Sequence, residues 1–342
     1  MSVKNAYRRR EFLENALRLG AGVFISSCPH IACGRDAFHR EDAARFFPRS
    51  VRPLFVVLRG PRPEKLLPRG LGAVLETVGT GRPGRNLFIK PNATANEPYP
   101  VTTDPSVLSA MIEFFRKMGF DRFTIADNPS YRGMMVRKIF RDRGYFRLGG
   151  TAGVRVLPGD PARTMGYAKM ALPDSAANRL ILVNRDLLSA DLAVNTSIPK
   201  RHHEAGFTCA LKNNFGAVYD STRTRAHLRM AGNPDSGTEF FDRTIAECAA
   251  AASPGLTVVD ARALLVKSGP STRAGGVVKE GVEEIIISTD MVAVDAYCSE
   301  LMSRHDPTYV PGERISRQLA FAEALGLGTS NLSTLDFVEI HS

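Results

Sequence analysis

Ile285-Ile286-Ile287-Ser288-Thr289-Asp290-Met291-Val292-Ala293-Val294-Asp295-Ala296 reads as a buried strand that turns directly into a helix. The isoleucines are β-branched and their run is too short for a helix, while Asp290 can accept the orphan amides of a first helical turn. The same alternation extends outward. Leu54-Phe55-Val56-Val57-Leu58, Leu87-Phe88-Ile89, Phe123-Thr124-Ile125, Leu180-Ile181-Leu182-Val183, Leu192-Ala193-Val194 and Leu256-Thr257-Val258-Val259 are further candidate buried strands. Asp104-Pro105 marks a second helix start, with proline where its missing N–H costs nothing. Val107, Leu108, Met111, Ile112, Phe115 and Met118 then form a helical stripe that ends near Gly119. Similar patterns place helices near 133–143, 237–251, 291–303 and 312–325. The alternation predicts an α/β fold: a mostly parallel or mixed sheet with helices on both faces and a loop-rich middle section. No internal repeat or long linker interrupts it, so residues 50–342 read as a single α/β domain and 1–45 as a signal and linker.

The signal reading rests on Arg9-Arg10-Glu11-Phe12-Leu13, preceded by Lys4 and Arg8 and followed by the weakly apolar Leu19-Gly20-Ala21-Gly22-Val23-Phe24-Ile25. Adjacent arginines before a modest hydrophobic segment form a twin-arginine export signal, which makes the twin-arginine translocation machinery a partner and the periplasm or another extracytoplasmic space the destination. Arg18 and the glycines make the segment too short and too interrupted for a spanning helix, which needs roughly 20 apolar residues. The plainer alternative is a basic amphipathic helix on a cytosolic protein. Ile25-Ser26-Ser27-Cys28 resembles a lipobox, in which Cys28 would be lipidated and hold the domain at the membrane surface.

Composition narrows the partner class. Lys+Arg 45 against Asp+Glu 35 leaves a charge of +10, but the arginines are dispersed and not gathered into a basic stripe with aromatics. That weighs against nucleic acid and leaves an anionic substrate or an acidic membrane surface. The five cysteines show no metal or ferredoxin spacing; Cys209, Cys248 and Cys298 are isolated and fit buried small hydrophobes.

Chemistry-bearing residues concentrate in Pro199-Lys200-Arg201-His202-His203-Glu204-Ala205-Gly206-Phe207-Thr208-Cys209-Ala210-Leu211-Lys212-Asn213-Asn214-Phe215-Gly216, with Arg223 and His227 beyond. The stretch follows a predicted strand ending near Asn195, and the carboxyl ends of parallel strands are where open α/β sheets bind ligands. His202, Lys212 and Lys200 are the catalytic candidates, since imidazoles move protons near neutral pH and lysine acts as a clamp or a nucleophile. Lys90, Asn92, Asn213 and Arg223 are candidates for holding a cofactor or anion, with a strand-ending turn as the plainer reading of Lys90-Pro91-Asn92. His202 and His227 with Asp295, or with Asp260, are candidate ligands for a divalent metal. Asp295 between Val294 and Ala296 would be costly to bury without a partner. The plainer reading of any single histidine or lysine is a solvated side chain.

At Ile89-Lys90-Pro91-Asn92, Thr102-Thr103-Asp104-Pro105, Lys200-Arg201-His202, Ala210-Leu211-Lys212-Asn213, Phe215-Gly216, Arg223, His227, Val259-Asp260-Ala261, Gly269-Pro270, Gly275-Gly276 and Ser288–Ala296 the chain resembles the family known as domain of unknown function 362. Many members carry cysteine-rich iron–sulfur segments. This chain has no Cys-x-x-Cys, which argues against an iron–sulfur cluster. The order His202, Gly206, Lys212, His227 is also similar to that of the nickel-pincer lactate racemases. That resemblance implies a cofactor on Lys212, metal on His227 and proton movement at His202. The expectation is an exported metal- or cofactor-dependent enzyme acting on a small anion through a His/Lys/Asp crevice. The alternatives are an exported ligand-binding protein and an assembly factor for an exported redox complex.

Overall fold

Leu54–Arg59 (β1) shows on one strand how the molecule is layered. Leu54, Val56 and Leu58 pack in one apolar cluster and Phe55 and Val57 in another, so each face of the strand is buried against a different layer. The computed structural model describes residues 53–78, 84–128, 133–159 and 166–342, which belong to one compact unit. Arg9-Arg10, the apolar run after them and Cys28 lie outside the described residues.

The elements run Pro63–Val78 (α1), Asn86–Lys90 (β2), Pro105–Lys117 (α2), Arg122–Asp127 (β3), Gly133–Asp142 (α3), Tyr145–Leu148 (α4), Val154–Pro158 (β4), Tyr167–Ala171 (β5), Leu180–Asn184 (β6), Arg185–Leu188 (α5) and Leu192–Ser197 (β7). They continue through Lys200–His202 (β8), Gly206–Thr208 (β9), Ala210–Asn213 (α6), Asp220–Gly232 (α7), Pro234–Ala252 (α8), Leu256–Ala261 (β10), Leu264–Val266 (β11), Val277–Lys279 (β12), Glu284–Ser288 (β13), Met291–His305 (α9), Glu313–Ala324 (α10) and Asp336–His341 (β14). The main sheet has the order β14-β1-β13-β10-β7-β2-β3-β4. Its strand pairs are parallel except the two made by β13, which runs against β1 and β10. Leu66, Leu67 and Leu71 of α1, Leu108 and Met111 of α2 and Ile139 of α3 cover one face. Phe241 and Ile245 of α8, Val292 and Leu301 of α9 and Ile315 of α10 cover the other. The expected mixed α/β sheet with helices on both faces is the observed one.

Two local expectations are corrected. The run 180–183 forms a strand, but β6 pairs only with β5 in a separate two-stranded sheet and leaves Leu180 exposed; a short apolar run does not say which sheet it joins. The helix α1 has no counterpart among the predicted elements, because Pro68, Gly70 and Gly72 weigh against it. Packing reverses that balance at Gly70, where an added Cβ would lie 2.8 Å from the Leu58 methyl carbons, so the glycine lets the helix approach β1 closely. Among the described residues no helix is long and apolar enough to cross a membrane.

Candidate functional site at the switch point of the sheet

From β2 the chain steps outward through β3 to β4, then returns to the opposite side of β2 as β7 and continues to β10. The strand order therefore reverses between β2 and β7, and a crevice at such a reversal lies beyond the carboxyl ends of the strands. Lys90 ends β2 in register with Asn195 of β7, and Asp127 ends β3. The residues after β7 fold back over this edge as the short ribbon β8–β9 and the single turn α6.

A buried polar floor lies there. Lys90 Nζ donates to Asp127 Oδ1 at 2.6 Å, to the Pro91 carbonyl at 2.9 Å and to Asn213 Oδ1 at 3.2 Å. Asn92 Nδ2 donates to Asn213 Oδ1 (3.1 Å), and Asn213 Nδ2 to Asn195 Oδ1 (2.7 Å). Lys200 Nζ donates to Asn92 Oδ1 (2.7 Å) and the Val101 carbonyl (2.9 Å). Desolvation holds Lys90 below its usual range despite the opposing pull of Asp127. It lowers Lys200 to about 7, with the Lys212 charge adding to it. Gly216 closes this floor from above: a Cβ there would sit 1.8 Å from Asp127 Oδ1 and 2.8 Å from Lys90 Nζ, so only glycine admits the backbone.

The wall beside the floor is cationic and more open. The Glu204 and Ala205 amides donate to His202 Nδ1 at 3.1 and 3.2 Å, which puts the proton of the neutral ring on Nε2. Burial, then the Lys212 charge, hold His202 well below its ordinary range, so it is neutral at physiological pH. Lys212 makes no hydrogen bond or ion pair among the described residues and stands over the Phe215 ring at 5.4 Å. Desolvation and Arg223, opposed by Glu204, lower it to about 8. His227 Nδ1 donates to the Arg223 carbonyl (2.7 Å), and its Nε2 lies 3.3 Å from Glu204 Oε2. Burial raises the Glu204 carboxyl, but His227, His203 and Lys212 outweigh it and leave Glu204 below the usual range.

The family described as Domain of unknown function (DUF362) matches residues 87–300, the whole span from β2 into α9 and every candidate residue in it. The chain belongs to this family. It is similar to the thylakoid-associated protein sll1697 of Synechocystis, at 25% identity over 248 residues, 72% of this chain and 70% of that protein. Among solved structures it is similar to the lactate racemase apoprotein of Thermoanaerobacterium thermosaccharolyticum, with a TM-score of 0.43 and 14% identity. That match covers 68% of this chain and 53% of the racemase, so the chain spans about half the racemase's length. A TM-score of this size is too low to carry residue roles across.

In this member of the domain of unknown function 362 family, the fold brings Lys90, Asn92, Lys200 and Asn213 into one network, with their polar atoms directed at one another. His202, Lys212 and His227 share the cationic wall. Arg223 bonds Asp220 (2.7 Å) and the carbonyls of Asn128 and Phe215, tying the end of β3 to the turn carrying Gly216. The proposed metal set does not assemble: among the described residues no three His, Cys, Asp or Glu side chains converge. Asp295 gives its two oxygens to the Ala210 and Leu211 amides (2.6 and 3.2 Å), and Asp260 is paired with Arg262. These residues, as placed, do not fit a cage for a divalent metal. Asp127 and Asn195 are central to the floor yet were not among the sequence candidates. The signal that finds Asp127 is a carboxylate ending a buried parallel strand.

Proposed function

We propose that the switch-point crevice binds a small carboxylate on Lys212 and that the neutral His202, donating a hydrogen bond from Nε2–H, polarises the bound anion and eases proton exchange beside its carboxylate, as an enzyme. The observation that carries this reading is the contrast among three lysines. Lys90 has three acceptors and Lys200 two, whereas the half-buried Lys212 has none among the described residues and a hydrogen-bonding partner to gain. Lys212 supplies the charge, a neutral His202 presents Nε2, and the floor keeps α6 and β8 in place. The bonding of Lys90, Asn92, Lys200 and Asn213 to one another favours a second reading, an anion-binding protein or assembly factor without turnover.

A panel of small hydroxy and oxo carboxylates, with inorganic phosphate for comparison, tests the reading by calorimetry and by solvent deuterium exchange next to the carboxylate. Lys212→Met should weaken binding about tenfold or more, the scale of one lost charge-assisted contact. His202→Ala should slow exchange about tenfold or more while leaving binding within a few-fold. Unchanged binding in Lys212→Met removes the reading, and binding without exchange selects the anion-binding protein.

The site of action is proposed from the other end of the chain. Arg9-Arg10 would send the folded protein through the twin-arginine machinery, and Cys28 would anchor it if lipidated. A relative named as thylakoid-associated supports a place at a membrane. No nucleic-acid partner is proposed. The mass of the mature amino terminus distinguishes a lipidated Cys28 from simple cleavage or retention.

A further inference from the structure

We propose that Lys212 is a covalent nucleophile that condenses with a small 2-oxo acid to form an imine within this crevice. The proposal rests on the small-carboxylate reading above and adds the reacting group of the substrate, a carbonyl beside the carboxylate.

The geometry fixes Lys212 as few surface lysines are fixed. It sits in α6, whose first two amides are held by Asp295 and whose last side chain, Asn213, is bonded into the floor on both sides. The backbone of Lys212 is thus pinned between two buried anchors. Ala210, Leu211 and Asn213 are buried, while Lys212 is half-buried and faces the cationic wall. Its ammonium has no acceptor among the described residues, only the face of Phe215, which favours the charged form. Desolvation and Arg223 work in the other direction and prevail. With a lysine lowered to about 8, roughly a tenth is free amine at pH 7, against under about a thousandth for an ordinary lysine.

The chemistry balances without an oxidant or reductant. The amine lone pair forms the N–C bond as the carbonyl π pair moves to oxygen. A proton passes from nitrogen to that oxygen, the carbinolamine loses water as its C–O bond breaks, and C=N forms. The departing hydroxyl takes the remaining nitrogen proton by way of solvent and leaves as water, and His202, whose free Nε2 bears hydrogen and which feels the Lys212 charge more than any other charge around it, donates a hydrogen bond to that oxygen. Lys200 and Arg223 remain beside Lys212 when it gives up its proton, and the carboxylate of an oxo acid answers them.

The test treats the full chain with glyoxylate or pyruvate and sodium cyanoborohydride, followed by intact mass and peptide mapping. A single reduced adduct on Lys212 is expected, formed at least about tenfold faster than at exposed lysines and rising in rate as pH approaches 8. Propanal, which lacks the carboxylate, should label Lys212 more slowly. Lys212→Arg should abolish the fast adduct, and the pH profile of the unaltered protein gives the same answer without a variant. Labelling spread evenly over surface lysines, or undiminished in Lys212→Arg, overturns the proposal. If acetate still binds in a Lys212-dependent way without any adduct, the imine alone falls; if neither occurs, the carboxylate reading falls with it.

Discussion

Asp295 lies in the second turn of α9, where its two oxygens accept the amides that open α6. Burial raises its carboxyl to about 7, and the two amides offset only part of that cost. The folded state therefore keeps a proton that the unfolded chain releases near pH 4. Between about pH 4 and pH 7 the unfolded state binds fewer protons, so this group's contribution to stability falls as pH rises, by at most ~1.4 kcal/mol per unit. Urea unfolding of the protein and of Asp295→Asn across that window checks it. The difference between the two should shrink as pH rises towards 7, and a pH-independent difference would show that Asp295 does not titrate there. At this scale the sequence was informative about type but not about task. Asp295 stood out because an aspartate between Val294 and Ala296 needs a partner. That the partner is the backbone of a turn 84 and 85 residues away follows only from the fold.

Helices α8 and α10 act on the site through a carboxylate that touches none of the candidate residues. Asp242 of α8, fully buried, accepts Arg314 Nε and Nη2, Arg317 Nη2 and Gln318 Nε2 from α10, at 2.7 to 3.0 Å. Arg314 Nη1 reaches the Glu204 carbonyl (2.5 Å) and Gln318 Nε2 the Ala205 carbonyl (3.1 Å). The amides of those two residues fix the tautomer of His202. Asp242→Ala should cost about 3 kcal/mol, the lower end for a broken buried pair because both arginines keep some contact with water. It should also speed hydrogen exchange at the Glu204 and Ala205 amides. Unfolding and exchange measured together separate a local loosening from a global one; unchanged exchange there would disconnect α10 from His202. The helices themselves were legible wherever apolar residues recurred at helical spacing, as in α2 and α9. The pairing between α8 and α10 was not, since an aspartate in a helix carries no mark of the arginine it will meet.

At the scale of the molecule the main sheet is closed on one side by β14, which pairs in parallel with β1 and packs Phe337 against Phe55 in a tilted arrangement with ring centroids 4.8 Å apart. Removing residues 336–342 would expose the backbone of β1 along an apolar strand, an edge that invites pairing with another chain. The shortened protein should melt at least ~5 °C lower, from the loss of a few kcal/mol of strand pairing and packing. In sedimentation it should form dimers or larger species at concentrations where the full chain does not. Equal melting and an unchanged sedimentation profile would show that β14 contributes little.

The sequence by itself determined the class of the fold, because strand runs and helix stripes are local patterns set by side-chain size, branching and capping chemistry. It also determined which residue types surround the crevice, since Lys90-Pro91-Asn92 and the stretch from Lys200 to Gly216 each read as polar groups beside strand ends. Only the tertiary structure decided which of those groups are spent and which are available. Lys90, Lys200 and Lys212 are the same residue type, yet two are engaged by carboxylate, amide and carbonyl oxygens and the third, among the described residues, is not. Hydrogen bonding and desolvation depend on atoms brought together from β2, β3, β7 and α6. No periodicity along the chain encodes that meeting; the order of strands in the sheet does.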